Sequence, residues 1–91
     1  MKQRKYITVN GWVQGVGFRY FVKYTATSLG LTGWVRNKDD GAVELEAQGD
    51  ENALETLLEK LHEGNRYSQV EWVEVRNTPL EETEYGFLID D

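Results

Sequence analysis

The chain has 91 residues, no cysteine and a formal net charge of −6 at pH 7. This length predicts one domain over residues 1–91, and the lack of cysteine excludes disulfides, thiolate nucleophiles and zinc–sulfur sites. The negative charge argues against nucleic acids and anionic membranes as partners, and no segment is apolar enough for a signal peptide or a membrane span, so we expect a cytoplasmic protein.

The first half of the sequence predicts a strand, a helix and a β-hairpin. Apolar and polar residues alternate over residues 6–13, which is the period of a strand. After a turn rich in glycine, apolar residues recur at helical spacing over residues 18–29, and Gly30 ends this helix. A second strand is predicted at about 32–38, and the Asp-Asp-Gly sequence at 39–41 is typical of a hairpin turn.

The second half predicts a strand, a helix and two further strands. Residues 43–48 alternate strictly, so one face of this strand belongs to the core and the other to water. Asp50 is the predicted N-cap of the second helix, which carries a stripe of leucines. Residues 70–76 predict a fourth strand whose alternation breaks in the middle, indicating a bulge or burial on both faces. A loop is predicted at 77–84, and a short last strand at 85–89.

In this order the elements predict an α+β fold, a ferredoxin-like β-α-β-β-α-β sandwich. Right-handed crossovers place two helices on one face of a mostly antiparallel sheet, and the chain adds a short extra C-terminal strand. In this arrangement the turn after the first strand and the end of the second strand lie at one edge of the sheet. Arg19 and Asn37 are therefore predicted to lie near each other.

The turn between the first strand and the first helix has the features of a phosphate-binding site. Successive backbone N–H groups in such a turn point into one concavity, and the helix start adds its positive dipole end. Glycines at positions 15 and 17 leave room for an anion, and Arg19 supplies a planar set of donors that fits phosphate oxygens. Because a cation at a helix N-terminus opposes the helix dipole, Arg19 is better explained with an anion beside it.

Two segments of the sequence resemble the signatures of the acylphosphatase family. The first is Val9-x-Gly11-x-Val13-Gln14-Gly15-Val16-x-Phe18-Arg19, which has no mismatch. The second is Gly33-Trp34-Val35-Arg36-Asn37-x-x-x-Gly41-x-Val43, with Gly49 closing the strand. The remaining helix and strands resemble that family's fold in order and length.

The resemblance implies an enzyme that hydrolyses the carboxyl-phosphate anhydride of small acylphosphates to carboxylate and inorganic phosphate. It assigns phosphate binding to the Arg19 side chain and orientation of the attacking water to Asn37. Since an amide takes no proton at neutral pH, we expect the water's proton to pass to a phosphate oxygen of the substrate. No metal and no other cofactor are expected, and the protein is expected to act as a monomer. The backbone amides implied to bind phosphate are those of Gly15, Val16, Gly17, Phe18 and Arg19.

Three other functions are compatible with parts of the sequence. A non-catalytic phosphate- or anion-binding regulatory domain would use the same turn, although the presence of Asn37 speaks against it. RNA-binding modules share this order of elements, but their third strand carries basic and aromatic residues where this chain carries acidic ones. A similar domain also begins larger carbamoyl-transfer maturation proteins.

The remaining polar residues near these segments have simpler explanations. His62 is predicted to be solvated, and the acidic pair at 39–40 belongs to a hairpin turn. Lys38 replaces the small hydroxyl residue that often follows this asparagine in the family, which bears on substrate charge preference.

Overall fold

The computed structural model describes residues 1–90, in which two helices pack against one face of a five-stranded sheet. This arrangement confirms the predicted α+β, ferredoxin-like fold with an extra C-terminal strand. Neither helix within these residues combines the length and the apolar character needed to cross a bilayer. The elements in chain order are β1 (Lys2–Trp12), α1 (Phe18–Ser28), β2 (Thr32–Asn37), β3 (Val43–Asp50), α2 (Glu51–Glu63), β4 (Gln69–Asn77) and β5 (Phe87–Ile89).

The sheet has the strand order β4-β1-β3-β2-β5, and every neighbouring pair is antiparallel except β2 with β5. Its centre is the row in which Leu45 of β3 lies between Ile7 of β1 and Val35 of β2. All three side chains are fully buried, because this face is the one that the helices cover. Glu44 and Glu46 of β3 lie on the opposite face, as the alternation predicts.

Both helices are held to the sheet by apolar side chains at helical spacing. In α1 these are Phe18, Val22 and Ala26, at intervals of four residues on one face. Asp50 caps α2 as predicted, since its carboxylate accepts a hydrogen bond from the Asn52 N–H at 3.0 Å. The buried leucines of α2 are Leu54, Leu57 and Leu61, while Leu58 at the edge of the predicted stripe is half-buried.

A bulge in β4 explains the broken alternation of its sequence. Asn10 of β1 lies opposite Trp72, whereas the next residue, Gly11, lies opposite Val70, so Glu71 is an extra residue on β4. Gly11 has φ 135°, and a Cβ atom there would lie 2.2 Å from the Gln69 carbonyl oxygen. Glycine is therefore required at position 11, because the bulged strand approaches the β1 backbone too closely for any side chain.

Strand β1 begins at Lys2, earlier than the alternation from residue 6 predicts, because residues 2–5 also pair with β3, and Arg4 is buried within this part of the sheet. Its guanidinium is bound by two carboxylates, through Nε to Glu46 at 2.6 Å and through Nη1 and Nη2 to Glu84 at 2.7 and 3.0 Å. Glu84 belongs to the loop between β4 and β5, which thereby closes over one end of the sheet face that the helices leave open. The hydrogen bond with Arg4 holds the pKa of Glu84 below its ordinary value, although burial opposes this shift.

Candidate active site

The loop between β1 and α1, residues 13–17, has the backbone geometry of an anion-binding turn. Gly15 and Gly17 have φ values of 72° and 76°, and Val16 between them has a negative φ, as has every non-glycine residue described. Alternation of this kind turns consecutive N–H groups towards one side of the chain. A Cβ atom at Gly15 would meet no atom within 4 Å, so this part of the loop faces open space.

The N-terminus of α1 follows this loop directly. Gly17 is the N-cap, and it carries no side chain to satisfy the first N–H groups of the helix. The first turn contains no acidic residue that would balance the positive end of the helix dipole. Instead Arg19, which is partly buried, brings a second positive charge to this end. An anion bound here would meet the positive end of the helix dipole, at a turn whose sequence also carries Arg19.

Asn37 lies at the same edge of the sheet as this loop. It is the last residue of β2 and pairs with Val43, which in turn pairs with Val9, three residues before the end of β1. Since paired residues project to the same side of a sheet, Asn37 projects from the face that carries the helices. The structure therefore places the loop, the start of α1 with Arg19, and Asn37 at one edge, where the strand order predicts them.

Gln14 fastens the β1–α1 loop to the hairpin that follows Asn37, a contact that the sequence pattern does not predict. Its side-chain Nε2 donates hydrogen bonds to the carbonyl oxygens of Lys38 at 2.7 Å and Ala42 at 2.9 Å. The hairpin is closed by the Lys38 N–H, which donates to the Ala42 carbonyl oxygen at 2.8 Å. Gln14 thus adds a side-chain link between the loop and the hairpin to the strand pairing that places Asn37.

Two charged residues of the hairpin, Lys38 and Asp40, make their contacts within the hairpin. The Asp40 carboxylate accepts a hydrogen bond from the Ala42 N–H at 3.0 Å, which confirms its predicted role in the turn. Lys38 Nζ lies 3.7 Å from the other carboxylate oxygen of Asp40, so its charge is partly balanced there. Within residues 1–90 no group of three or more His, Asp or Glu side chains is arranged to hold a metal ion.

Glu44 follows Val43, the β3 partner of Asn37, and therefore faces away from Asn37. It accepts hydrogen bonds from the Tyr6 hydroxyl and from Arg36 Nε, both on the open face. Burial alone would raise the pKa of Glu44, but these two hydrogen bonds, together with the positive charges of Arg36 and Lys38, outweigh it and lower that pKa. Glu44 is therefore an ionised, paired side chain on the wrong face of the sheet to act as a base beside Asn37.

His62 is the single histidine of the chain. It is exposed near the C-terminal end of α2, as predicted, and its Nδ1 lies 2.8 Å from the Leu58 carbonyl oxygen. The ring is thus engaged with its own helix, which gives it a local structural contact in place of a role at the candidate site.

Comparison with known proteins gives one consistent assignment. The acylphosphatase family model matches residues 5–89. The acylphosphatase of Bifidobacterium longum is 53% identical over 85 residues, which cover 92% of this chain and 88% of that protein. The crystal structure of acylphosphatase from Bacillus subtilis matches with a TM-score of 0.93 and 43% identity, covering 100% of both chains.

A much longer protein contains a similar fold. The structure of full-length HypF in its phosphate- and nucleotide-bound form matches 100% of this chain but 12% of its own, with a TM-score of 0.88 and 29% identity. The curated relative and the Bacillus subtilis structure, in contrast, are matched over most or all of their length. Because the family model spans nearly all of the sequence and relatives above 40% identity cover it, this chain belongs to the acylphosphatase family.

Proposed function

We propose that this protein hydrolyses the carboxyl-phosphate anhydride bond of small acylphosphates, releasing a carboxylate and inorganic phosphate. Family membership supports the reaction class. The observation that carries the proposed mechanism is the position of three features at one edge of the sheet: a loop of alternating φ sign, the uncapped start of α1, and Asn37. The first two features together make up the phosphate loop, residues 15–19.

The phosphate loop binds the phosphoryl group in this proposal. The backbone amides of Gly15, Val16, Gly17, Phe18 and Arg19 donate to its oxygens. The Arg19 guanidinium adds a permanent charge and a planar pair of donors, which neutralise the oxygens without a metal ion. Such short-range donors are needed here, because the net charge of −6 repels an anionic substrate at long range.

Asn37 orients the attacking water towards phosphorus. Its carboxamide donates and accepts hydrogen bonds but takes no proton at neutral pH, so the proton of the water passes to a phosphoryl oxygen of the substrate. A strong base is unnecessary, because phosphoryl transfer commonly has a loose transition state with little bonding to the nucleophile. A general acid is also unnecessary, since the leaving carboxylate has a conjugate-acid pKa of about 4. Catalysis then rests on positioning and charge stabilisation.

The proposal also includes the domain organisation, oligomeric state, compartment and cofactor requirement of the protein. It acts as a single domain over residues 1–91, as a monomer in the cytoplasm, and without a cofactor, a nucleic acid or a membrane. The absence of cysteine fits a reducing compartment, and the net negative charge disfavours polyanionic partners.

Steady-state hydrolysis of acetyl phosphate by two variants tests the proposed roles. Arg19→Ala should raise KM and lower kcat together, because the guanidinium binds the phosphoryl group before and during the reaction. Asn37→Ala should lower kcat by about 100-fold and leave KM nearly unchanged, because it aligns the water and not the substrate.

Matched control variants lie away from the proposed site. Arg76→Ala removes an exposed arginine from the open sheet face, and Asn52→Ala removes an exposed asparagine at the start of α2, at the opposite end of β3 from Val43. Both controls should keep the parent kinetics. A parent-like kcat in Asn37→Ala would refute the water-orienting role, and a parent-like KM in Arg19→Ala would refute phosphate binding by that side chain.

A further inference from the structure

The turn between α2 and β4, residues 64–68, contacts the middle of the phosphate loop. Asn65 Nδ2 donates a hydrogen bond to the Val16 carbonyl oxygen at 2.8 Å. The same nitrogen would lie 3.7 Å from a Cβ atom at Gly17. Asn65 is 49 residues away from Val16 in sequence and lies outside both signature segments. Neither motif therefore accounts for this contact.

Holding the Val16 carbonyl fixes the direction of the next N–H group. The peptide unit is planar and trans, so the C=O of Val16 and the N–H of Gly17 point in opposite directions. A hydrogen bond that holds the carbonyl towards Asn65 therefore turns the Gly17 N–H away from Asn65. Gly17 has no side chain to restrict its φ angle, so the residue itself does little to fix the orientation of this peptide unit. The hydrogen bond from Asn65 supplies that restraint.

Asn65 is itself held firmly by the turn in which it lies. Its N–H donates to Ser68 Oγ at 2.9 Å, and Ser68 Oγ donates to the Asn65 carbonyl oxygen at 3.1 Å. The turn continues directly from α2, where the Gly64 N–H donates to the Lys60 carbonyl oxygen at 2.9 Å. The carboxamide is thus projected from a helix end and a closed turn, so it is a rigid support for the phosphate loop.

The oxygen of the Asn65 carboxamide adds no hydrogen bond within the described residues that would stabilise the fold. Asn65 Oδ1 is buried and accepts no hydrogen bond from residues 1–90. A buried acceptor without a partner destabilises the folded protein, which offsets the gain from the bond to Val16. An alanine would avoid this penalty but would leave the Val16 carbonyl without this donor, so the two effects offset each other and the net effect of Asn65 on stability is expected to be small.

We propose that Asn65 is a positioning residue that aims the Gly17 N–H at the phosphoryl group by holding the Val16 carbonyl. This inference rests on the proposed role of the phosphate loop. It assigns to Asn65 no contact with the substrate, and it predicts an effect on phosphate affinity that exceeds the effect on stability.

Two variants and two measurements test this role. Asn65→Ala removes the donor, and Asn65→Asp replaces it by a carboxylate that donates nothing to the Val16 carbonyl. Each variant should raise the inhibition constant of inorganic phosphate against acetyl phosphate about 10-fold, the size of a lost hydrogen bond to a charged group. Asn65→Asp should have the larger effect, because it also adds negative charge beside the loop. The thermal midpoint of Asn65→Ala should stay close to that of the parent.

The controls separate this inference from the proposed function. Asn52→Ala and Asn52→Asp make the same chemical changes at the far end of the sheet and should leave the phosphate inhibition constant unchanged. If the parent is inhibited by phosphate but both Asn65 variants are inhibited equally well, the positioning role is wrong and the phosphate loop stands. If phosphate does not inhibit the parent, the proposed phosphate loop is itself wrong.

A spectroscopic measurement reports on the Gly17 amide directly. In nuclear magnetic resonance spectra, phosphate should shift the Gly17 amide signal of the parent, and should shift that of Asn65→Ala much less. An equal shift in both proteins would contradict the proposal, because the amide would then reach the anion without the support of Asn65.

Discussion

Replacing Gln14 by alanine tests whether the phosphate loop and Asn37 must be held at a fixed separation. The side chain bridges them through two hydrogen bonds, to the carbonyl oxygens of Lys38 and Ala42. Each bond contributes about 0.5–1.5 kcal/mol, so the free energy of unfolding should fall by about 1–3 kcal/mol. In a domain of this size, each kcal/mol lowers the thermal midpoint by about 4–8 °C.

The effect of Gln14→Ala on catalysis should exceed its effect on stability. A displacement of about 1 Å between reacting groups is enough to slow a reaction about 100-fold. We therefore expect kcat for acetyl phosphate to fall about 100-fold at a temperature where the variant is fully folded, while inorganic phosphate still inhibits it. Gln14→Glu should lower kcat at least as much, because it replaces the amide donor by a carboxylate that would face the carbonyl oxygens of Lys38 and Ala42.

Gln3→Ala is the matched control for this experiment. The Gln3 amide donates one hydrogen bond, to Glu51 at 3.2 Å, near the opposite end of β1. It should leave kcat unchanged. The reasoning would be refuted if folded Gln14→Ala kept the parent kcat while its thermal midpoint fell, since the two bonds would then serve stability alone.

Two further predictions concern acid stability and metal dependence. Because Arg4 holds the pKa of Glu84 below its ordinary 4.5, this pair stabilises the fold above about pH 4.5 and loses its effect as the pH falls through the lowered pKa. Glu84→Gln should therefore flatten the fall of the thermal midpoint as the pH drops below about 4.5, whereas exposed Glu82→Gln should keep the parent slope; equal slopes in both variants would contradict this. Chelator-treated protein should hydrolyse acetyl phosphate at the full rate, and activity restored only by a divalent metal would overturn the metal-free mechanism.

The elements of the fold are predictable from the sequence because each buries one regular face. Residues 43–48 alternate with a period of two, and α1 repeats its apolar residues every four positions. The signals at helix ends are equally informative, since Asp50 begins α2 and Gly64 ends it. The strand order then brings Asn37 to the edge where the β1–α1 loop lies, so the approximate position of the site follows from the topology.

The contacts that hold the site are not predictable in the same way. The side chains of Gln14 and Asn65 donate to backbone carbonyls that lie 24 to 49 residues away in sequence. The local sequence pattern around Gln14 or Asn65 does not indicate these distant partners. In the sequence Arg4 is one of several basic residues near the N-terminus, whereas the structure buries it between Glu46 and Glu84. Single polar residues carry no periodicity, so their partners become visible only when the chain is folded.

A crystal structure of the protein with bound inorganic phosphate tests the proposed mechanism most directly. We expect one phosphate ion in the concavity of residues 15–19, within hydrogen-bond distance of these amides and of the Arg19 guanidinium. The Asn37 carboxamide should lie beside the side of the ion that is open to water. Phosphate bound at another surface, with the amides of Gly15 and Gly17 turned away from any anion, would contradict the mechanism.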